Sequence, residues 1–281
     1  MIVCETIQEC RKAVADLRAL GHTIGFVPTM GALHQGHMSL VQAASQATGA
    51  TVVSIFVNPT QFGQASDLEN YPRDDAKDLA LLKDAGVSVV FLPQVNDVYP
   101  PNDETIVETT RLANILHGKV RPGHFRGVTS VVARLFNIVQ PDVAMFGEKD
   151  YQQLQIIKRM VQDLHFPVRI EGLPTQREAD GLAMSSRNRR LSTEDRAAAV
   201  VISQALAAAQ SLTQTPGTTV QAVRDCIANH IATEPRATLE GLDTVSPDTL
   251  TPMEGPLQGP LAIMISVQFS DILLIDQKVI S

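Results

Sequence analysis

The stretch of sequence that decides the fold reads Val27-Pro28-Thr29-Met30-Gly31-Ala32-Leu33-His34-Gln35-Gly36-His37. The apolar run that leads into it, residues 23–27, predicts a short buried strand. After it, Leu40, Val41 and Ala44 form an apolar stripe at helical spacing, which predicts a helix over residues 37–47. The two histidines therefore lie where a strand gives way to a helix N-terminus, and the unpaired backbone N–H groups there favour phosphate.

A His-x-Gly-His tetrad at a first strand–helix junction is typical of enzymes that adenylate a carboxylate or transfer a nucleotidyl group at the α-phosphate of ATP. The imidazoles can donate to phosphate oxygens that gain charge in the transition state, and Gly31 and Gly36 let the backbone approach a ligand closely. Two histidines three positions apart could instead hold a metal or simply face solvent. A metal pair needs a third ligand, and none lies close in the sequence.

Length and composition restrict the class of protein. A chain of 281 residues can bury one large core and a second, smaller one. The net charge of −7 argues against nucleic acid as the main partner. Three cysteines without a CxxC pair imply neither a disulfide framework nor a zinc site. With no apolar signal segment and only strand-length apolar runs, we expect a cytoplasmic protein with no membrane partner.

Short apolar runs alternate with helical patterns through the first two-thirds of the chain. The predicted strands are 24–27, 52–58, 87–92, 143–146 and 168–173, and the predicted helices are 38–47, 74–84, 110–116, 128–139 and 152–164. This alternation predicts an α/β fold, a Rossmann-like doubly wound parallel sheet with helices on both faces. In such sheets ligands bind beyond the carboxyl ends of the strands, which is where the polar motifs fall.

The pattern changes after about residue 190. A capped, alanine-rich helix is predicted over roughly 193–211 and a second helix over 220–231, followed by strands at 238–245, 261–269 and 272–275. Helices followed by strands suggest a small α+β unit. We therefore predict a Rossmann-like ligand-binding domain over residues 1–183 and a smaller α+β lid domain over residues 184–281.

Four further motifs lie at predicted strand ends or loops. Asn58 and Gln61 each offer a donor and an acceptor, although Asn-Pro also opens many ordinary turns. The basic loop 121–127, which contains His124, is about as typical of a surface turn as of a binding site. Lys149 follows a strand-end glycine at a helix start, where a cation opposes the helix dipole, so an anion is expected beside it. Residues 184–188 place two hydroxyls before an arginine, a pattern suited to an anion.

Together these motifs resemble the pantoate–β-alanine ligase family, in the same order and over roughly residues 20–192. They are Pro28-Thr29-Met30-Gly31 with His34-x-Gly36-His37, Asn58-Pro59-Thr60-Gln61-Phe62, Arg121-Pro122-Gly123-His124-Phe125, Phe146-Gly147-Glu148-Lys149-Asp150 and Met184-Ser185-Ser186-Arg187-Asn188. The resemblance implies membership of the nucleotidylyltransferase superfamily and a homodimer. It also implies an ATP-dependent ligase that makes pantothenate, a precursor of coenzyme A, through pantoyl adenylate.

The resemblance also implies a role for particular residues. The implied ATP contacts are Met30, Gly31, Ala32, Leu33, His34, Gln35, Gly36, His37, Gly147, Glu148, Lys149, Asp150, Gln176, Met184, Ser185, Ser186 and Arg187. Of these, the implied catalytic residues are His34, His37, Lys149, Ser185, Ser186 and Arg187. The implied contacts of pantoate and β-alanine are Met30, Asn58, Gln61, His124 and Gln153. Magnesium is expected mainly on the ATP phosphates, with Asp78 as a candidate protein ligand.

The chain departs from the family pattern at Gln176, at His117 and at Leu273. Two other functions remain open from the motifs alone. An adenylyltransferase of coenzyme A or NAD synthesis would need a basic pocket for an acceptor phosphate where this chain has Asn58 and Gln61. A non-catalytic ATP-binding module would not need the histidines, the lysine and the Ser-Ser-Arg motif together.

Overall fold

The computed structural model describes residues 1–63 and 65–280 and divides into two compact units. The first unit comprises Met1–Gly147 and Gln152–Leu173, and the second comprises Glu148–Tyr151 and Pro174–Ser281. The second unit therefore begins earlier than the predicted boundary at 183/184 and takes in one short segment, Glu148–Tyr151, from within the first unit's stretch of sequence. Residues 174–183 belong to it because Arg177 pairs with Ala183 in a β-bridge and with Asp276 in an ion pair.

The first unit is built on a parallel sheet whose strands run in the order β1-β4-β3-β2-β5-β6 within the described residues. The strands are β1 (Ile2–Cys4), β2 (Ile24–Thr29), β3 (Ala50–Ile55), β4 (Val89–Phe91), β5 (Val143–Gly147) and β6 (Arg169–Leu173). Phe26 of β2 pairs with Val52 of β3 on one side and with Ala144 of β5 on the other. The chain order reverses between β2 and β5, so their carboxyl ends form the switch point where such sheets bind ligands.

Helices cover both faces of this sheet. They are α1 (Ile7–Ala19), α2 (Gln35–Ala47), α3 (Ala65–Glu69), α4 (Asp75–Asp84), α5 (Val95–Val98), α6 (His117–Val120), α7 (His124–Val139) and α8 (Tyr151–Asp163). Phe26 and Val52 lie in one buried cluster, whereas the next residues, Val27 and Val53, lie in another. Successive side chains of a strand point to opposite faces, so the two clusters are the cores above and below the sheet. The doubly wound parallel fold is confirmed.

The predicted helix over 110–116 is wrong. The chain there makes a short 3₁₀ turn, Leu112–Asn114, and then breaks at Leu116, whose φ is +51°. The side chain of Gln152 donates to the carbonyls of Leu112 and Ile115 and accepts the N–H of His117. These bonds replace the backbone pairs that a continuous helix needs, and they come from a residue far away in sequence.

The second unit packs three helices on an antiparallel sheet of order β7-β8-β9 within the described residues. Its elements are α9 (Thr193–Ala198), α10 (Val201–Leu212), α11 (Val220–Ile231), β7 (Thr238–Val245), β8 (Leu261–Phe269) and β9 (Ile272–Ile280). Ile263 and Ile265 of β8 are buried with Ala205 of α10 and Ile227 of α11. The predicted helix over 193–211 is two helices, and β9 extends beyond the predicted 272–275. The smaller α+β unit is confirmed.

In residues 1–63 and 65–280, no helix is long and apolar enough to cross a membrane.

Candidate active site

The loop after β2 turns the chain into α2 through two histidines that cap the helix. His34 is the N-cap residue, and its Nδ1 accepts the N–H of Gly36 at 3.1 Å. The Nδ1 of His37 accepts the N–H of His34 at 3.3 Å. This reciprocal arrangement is the capping box usually made by a hydroxyl and a carboxylate. Because both Nδ1 atoms accept, each neutral ring carries its proton on Nε2, so both histidines become N–H donors at Nε2.

A buried carboxylate holds the same loop from α4. Gly31 and Ala32 both have positive φ, at +79° and +51°. Asp78 is 2% exposed, and its Oδ1 accepts the N–H of Leu33 at 2.9 Å. Burial raises the pKa of Asp78, while hydrogen bonds from the N–H groups of Leu33 and Ala32 oppose that rise. A side chain at Gly31 would start 3.0 Å from Asp78 Oδ2, so a glycine allows both the turn and the close approach.

Asp78 does not belong to a ready-made metal site. The described part of the chain contains no group of three or more His, Cys, Asp or Glu residues that could hold a metal ion. One oxygen of Asp78 is used by the loop, and the other, Oδ2, has no hydrogen-bond partner among the described residues. The structure therefore shows Asp78 anchoring the loop that carries the histidines, and its role as a magnesium ligand stays a prediction.

A cleft of about 140 Å³ opens beside this loop. It is lined at the carboxyl ends of β2, β3 and β4 by Met30, Gly31, Ile55, Phe56, Val57, Arg73, Asp75, Asp78, Leu92, Pro93, Gln94 and Val95. Both polar and apolar side chains reach it, and Asp78 is its buried acidic group.

Next to the cleft, the motif after β3 forms a 3₁₀ turn, Pro59–Gln61, that packs on α7. Gly127 allows this packing, because a Cβ there would lie 2.6 Å from the carbonyl oxygen of Thr60. Asn58 is 1% exposed and caps the turn by accepting the N–H of Thr60. Its Nδ2 donates to the carbonyl of Gly127 and to Gln61 Oε1. The protein thus uses both ends of the Asn58 amide, and the contact of Asn58 with a substrate stays a prediction.

Gln61 and His124 lie side by side in the first unit. Gln61 is 8% exposed, and its Nε2 lies 3.1 Å from the sulfur of Met30. The Nδ1 of His124 lies 2.8 Å from the backbone oxygen of Gln61, so this ring nitrogen carries a proton and donates. The structure thus brings together three of the predicted substrate contacts: Met30, Gln61 and His124.

Two successive glutamines of α8 have different surroundings. Gln152 is 2% exposed and holds the segment 112–117 through the three hydrogen bonds described above. Gln153, the predicted pantoate contact, is half-buried, and its side chain makes no hydrogen bond within the described residues. Its amide therefore remains available to a ligand.

In the second unit, Lys149 lies against the Ser-Ser-Arg motif. Lys149, Ser185 and Arg187 line one small pocket together with Asn188, Asp276 and apolar neighbours. Ser185 caps the 3₁₀ turn Ser186–Arg190 by accepting the N–H of Arg187. Arg187 Nη1 donates to the carbonyl of Leu273 at 3.3 Å, so a backbone atom supplies this contact although the side chain at position 273 departs from the family pattern. The pocket is lined by an ammonium group, a guanidinium group and a hydroxyl group.

A network of charged side chains anchors Asn188 of this motif, and the sequence motifs did not predict it. Asn188 Nδ2 donates to Glu178 Oε1 at 2.8 Å, and Arg196 donates to the other oxygen of Glu178 at 2.7 Å. Arg196 also pairs with Asp180, and its hydrogen bonds lower the pKa of both carboxyls. The only signal in the sequence was the acidic pair Glu178 and Asp180 just before the motif, which does not reveal a partner on α9.

The remaining predicted ATP contacts are positioned by the backbone. The carbonyl of Gln176, whose side chain is exposed, accepts the N–H of Met184 at 2.9 Å. Gly147 ends β5, with no other atom within 4 Å of the place where a Cβ would stand. Glu148 and Asp150 flank Lys149 in a 3₁₀ turn, Glu148–Asp150. The roles of these residues in ATP binding stay predictions.

Comparison with known proteins gives one consistent result. Residues 2–279 match the family model described as pantoate-beta-alanine ligase. The pantothenate synthetase of Bartonella tribocorum is 49% identical over 280 residues, covering 100% of this chain and 98% of that protein. The pantothenate synthetase of Agrobacterium fabrum is 50% identical over 280 residues, covering 100% of this chain and 96% of that protein.

Solved structures agree with the sequence comparison. Pantothenate synthetase from Thermus thermophilus has a TM-score of 0.93 and 43% identity, and the match covers 99% of each chain. The pantoate-beta-alanine ligase from Francisella tularensis, in complex with beta-gamma ATP and beta-alanine, has a TM-score of 0.79 and 34% identity. That match covers 99% of this chain and 97% of the other.

Proposed function

Because the chain belongs to the pantoate–β-alanine ligase family and is an enzyme of that class, we propose that it makes pantothenate in two steps. In the first step, a carboxylate oxygen of (R)-pantoate attacks the α-phosphorus of ATP, and pyrophosphate leaves. In the second step, the amine of β-alanine attacks the acyl carbon of pantoyl adenylate and loses a proton, and AMP leaves. The carboxylate oxygen that attacked phosphorus departs with AMP.

The observation that carries this assignment is the tautomer of the two histidines. Their Nδ1 atoms are occupied as helix caps, so His34 and His37 offer N–H donors at Nε2, at the N-terminus of α2. Donors fixed before the reaction stabilise phosphate oxygens as these gain charge, and the removal of one such donor commonly lowers turnover by about 10²–10³-fold.

The second unit contributes the cationic groups. We assign Lys149 and Arg187 to neutralising phosphate charge and the hydroxyls of Ser185 and Ser186 to hydrogen bonds with phosphate oxygens. Lys149 and Arg187 line the same small pocket, and Lys149 makes no ion pair with any described residue, which supports this role. Little covalent work is left to the protein, so positioning supplies most of the rate enhancement.

Gln61 and Gln153 are assigned to pantoate, whose hydroxyls and carboxylate need amide partners. Gln61 is almost fully buried and Gln153 has an uncommitted amide, two properties that suit ligand-binding side chains. Met30 supplies an apolar contact beside Gln61. The β-alanine site is placed next to Gln61, with His124 adjoining it.

We propose that magnesium enters the site bound to the phosphates of ATP. This ion usually keeps several waters and needs only one or two protein carboxylates in addition to phosphate oxygens. The described residues offer no three-ligand cage, and Asp78 is used by the loop. Asp78 remains the proposed protein ligand, because its Oδ2 makes no hydrogen bond within the described residues.

A homodimer, a cytoplasmic location and the absence of a nucleic-acid partner are proposed from the family resemblance and the acidic composition. Light scattering on the purified enzyme tests the homodimer.

Product analysis tests the proposed function. The enzyme is incubated with ATP, pantoate and β-alanine, and then with each of the three omitted in turn. We expect AMP and pantothenate in equal amounts only when all three are present. Formation of ADP instead of AMP, or an adenylylated end product that accumulates in the presence of β-alanine, would contradict the assignment and favour a different transfer reaction.

A further inference from the structure

Tyr99 lies outside every motif discussed so far, yet the first unit holds it firmly. It follows α5, and its ring lies 6.3 Å from the ring of Phe56. The guanidinium of Arg134 lies over the ring, 4.5 Å from its centroid. Arg134 is itself fixed, because it donates to the carbonyl of Val98 and to both carboxylate oxygens of Asp103. The position of the Tyr99 ring is therefore set by contacts with an aromatic ring and with a cationic guanidinium group.

The hydroxyl of Tyr99 reaches the amide oxygen of Asn58 at 2.9 Å and the hydroxyl of Thr60 at 3.1 Å. Thr60 Oγ1 also lies 2.9 Å from the same Asn58 oxygen. Each hydroxyl has a single hydrogen to donate. If one of these two hydroxyls donates to the other, the second donates to the Asn58 oxygen. The Asn58 oxygen therefore always accepts a hydroxyl hydrogen. Burial raises the pKa of Tyr99, which keeps the phenol protonated as a donor.

The orientation of the Asn58 amide is fixed without any assumption about its two ends. One end lies 3.1 Å from the carbonyl oxygen of Gly127, which can only accept, so that end is the NH₂ group. The other end lies 3.3 Å from the backbone N–H of Thr60, which can only donate, so that end is the oxygen. The second hydrogen of the NH₂ group points to Gln61, at 2.9 Å from Oε1.

This chain of bonds determines which end of Gln61 remains for a ligand. Its oxygen is taken by Asn58, so its NH₂ group faces away, toward Met30. The backbone sets which end of the Asn58 amide faces Gln61. We propose that Tyr99 is a positioning residue of the pantoate site, whose hydroxyl further restrains this amide and so helps to hold Gln61 with its N–H donors toward the substrate. The inference rests on the proposed role of Gln61 in binding pantoate. It adds that this part of the pantoate site binds a hydrogen-bond acceptor, such as a carboxylate or hydroxyl oxygen. A ligand group that can only donate a hydrogen bond is disfavoured there.

A double-mutant cycle tests the connection between Tyr99 and Gln61. Tyr99→Phe removes one hydrogen bond and keeps the ring, so the KM for pantoate should rise by about two- to tenfold, the range for one neutral hydrogen bond. The KM for ATP and the melting temperature should stay near the wild-type values. In a Gln61→Ala background, Tyr99→Phe should add nothing. Tyr151→Phe, which also deletes a phenolic hydroxyl, is the matched control, because the Tyr151 hydroxyl donates to the carbonyl of Pro247 in the second unit; it should leave the KM for pantoate unchanged.

The polarity of Gln61 is tested separately by Gln61→Glu. This variant keeps the shape and the oxygen that faces Asn58, but it replaces the outward donor with an acceptor. It should weaken pantoate binding more than Gln61→Ala does. Pantoate binding to Gln61→Glu as tight as that to Gln61→Ala would overturn the inference, even if Tyr99→Phe does not fold.

The outcomes separate the inference from the function it rests on. If Gln61→Ala binds pantoate like the wild type, the assignment of Gln61 to pantoate fails. If Gln61→Ala weakens pantoate but Tyr99→Phe does not, or if the Tyr99→Phe effect persists unchanged without Gln61, only the role of Tyr99 fails.

Discussion

At the scale of single residues, several side chains near the candidate site owe their chemistry to hydrogen bonds with the backbone. His34 and His37 become donors at Nε2 because their other nitrogens cap a helix. Asn58 is held by a backbone carbonyl and a backbone N–H, which together leave it one orientation. These bonds are made before any ligand arrives, so the donors of the first unit are preorganised.

Lys149→Ala should impair adenylation and leave the fold intact. Lys149 makes no ion pair with any described residue and precedes α8, where the helix dipole disfavours a cation. Its removal should leave the melting temperature unchanged or slightly higher, while single-turnover adenylation slows by about 10²–10³-fold. Lys158→Ala is the control, because Lys158 is an exposed lysine within α8. A Lys149→Ala variant that melts much earlier and still adenylates at the wild-type rate would make Lys149 structural.

Asp78→Asn should change how stability depends on pH. Because burial raises the pKa of Asp78, the folded state holds its proton more tightly than the unfolded chain does. The stability from this group is present below the ordinary aspartate pKa of about 4 and is lost as the pH rises through the folded-state value. Asparagine keeps an oxygen for the N–H of Leu33 and cannot ionise.

Urea unfolding across the acidic to neutral range measures this effect. The free energy of unfolding of Asp78→Asn should rise relative to that of the wild type as the pH increases. Asp84→Asn, at an exposed position of α4, carries the same chemical change as a control. The account is contradicted if the difference in free energy of unfolding between variant and wild type stays constant with pH. It is also contradicted if the wild type becomes more stable than the variant as the pH approaches neutrality, because Asp78 would then ionise in the folded state without cost.

At the scale of elements, α8 places a structural side chain, Gln152, next to one proposed to bind pantoate, Gln153. Gln152→Ala should destabilise the protein by about 1–3 kcal/mol, because it leaves buried backbone groups of the segment 112–117 without partners. Gln153→Ala should leave stability unchanged and weaken pantoate more than ATP. Chemical denaturation and direct titration with each ligand measure the two effects. The reverse pattern would exchange the roles of the two residues.

The same elements show what could be predicted from the sequence. The strands and most helices follow from hydrophobic periodicity, and the His34–His37 motif falls at a strand–helix junction as expected. The helix predicted over 110–116 failed because Gln152, distant in the sequence, satisfies that backbone. The hydrogen bonds that Asn58 makes with Gly127 and Tyr99 could not be predicted for a similar reason, because both partners lie far away in the sequence.

At the scale of the whole molecule, each unit supplies one kind of chemistry to the proposed reaction. The first unit carries the histidine donors and the amides assigned to pantoate, and the second carries Lys149, Arg187 and the serine hydroxyls. The second unit also contains the network of Glu178 and Arg196, which no local pattern predicts because its partners lie on separate elements. The order of motifs along the chain was sufficient to predict the family, whereas the contacts that hold them required the fold.

Pantoate-dependent exchange of labelled pyrophosphate into ATP, measured without β-alanine, tests the central claim most directly. If a pantoyl adenylate forms first, exchange requires pantoate and proceeds in the absence of β-alanine. In His37→Ala, exchange should fall by about 10²–10³-fold, because one preorganised donor is lost. Exchange that strictly requires β-alanine, or that proceeds without pantoate, would contradict the account.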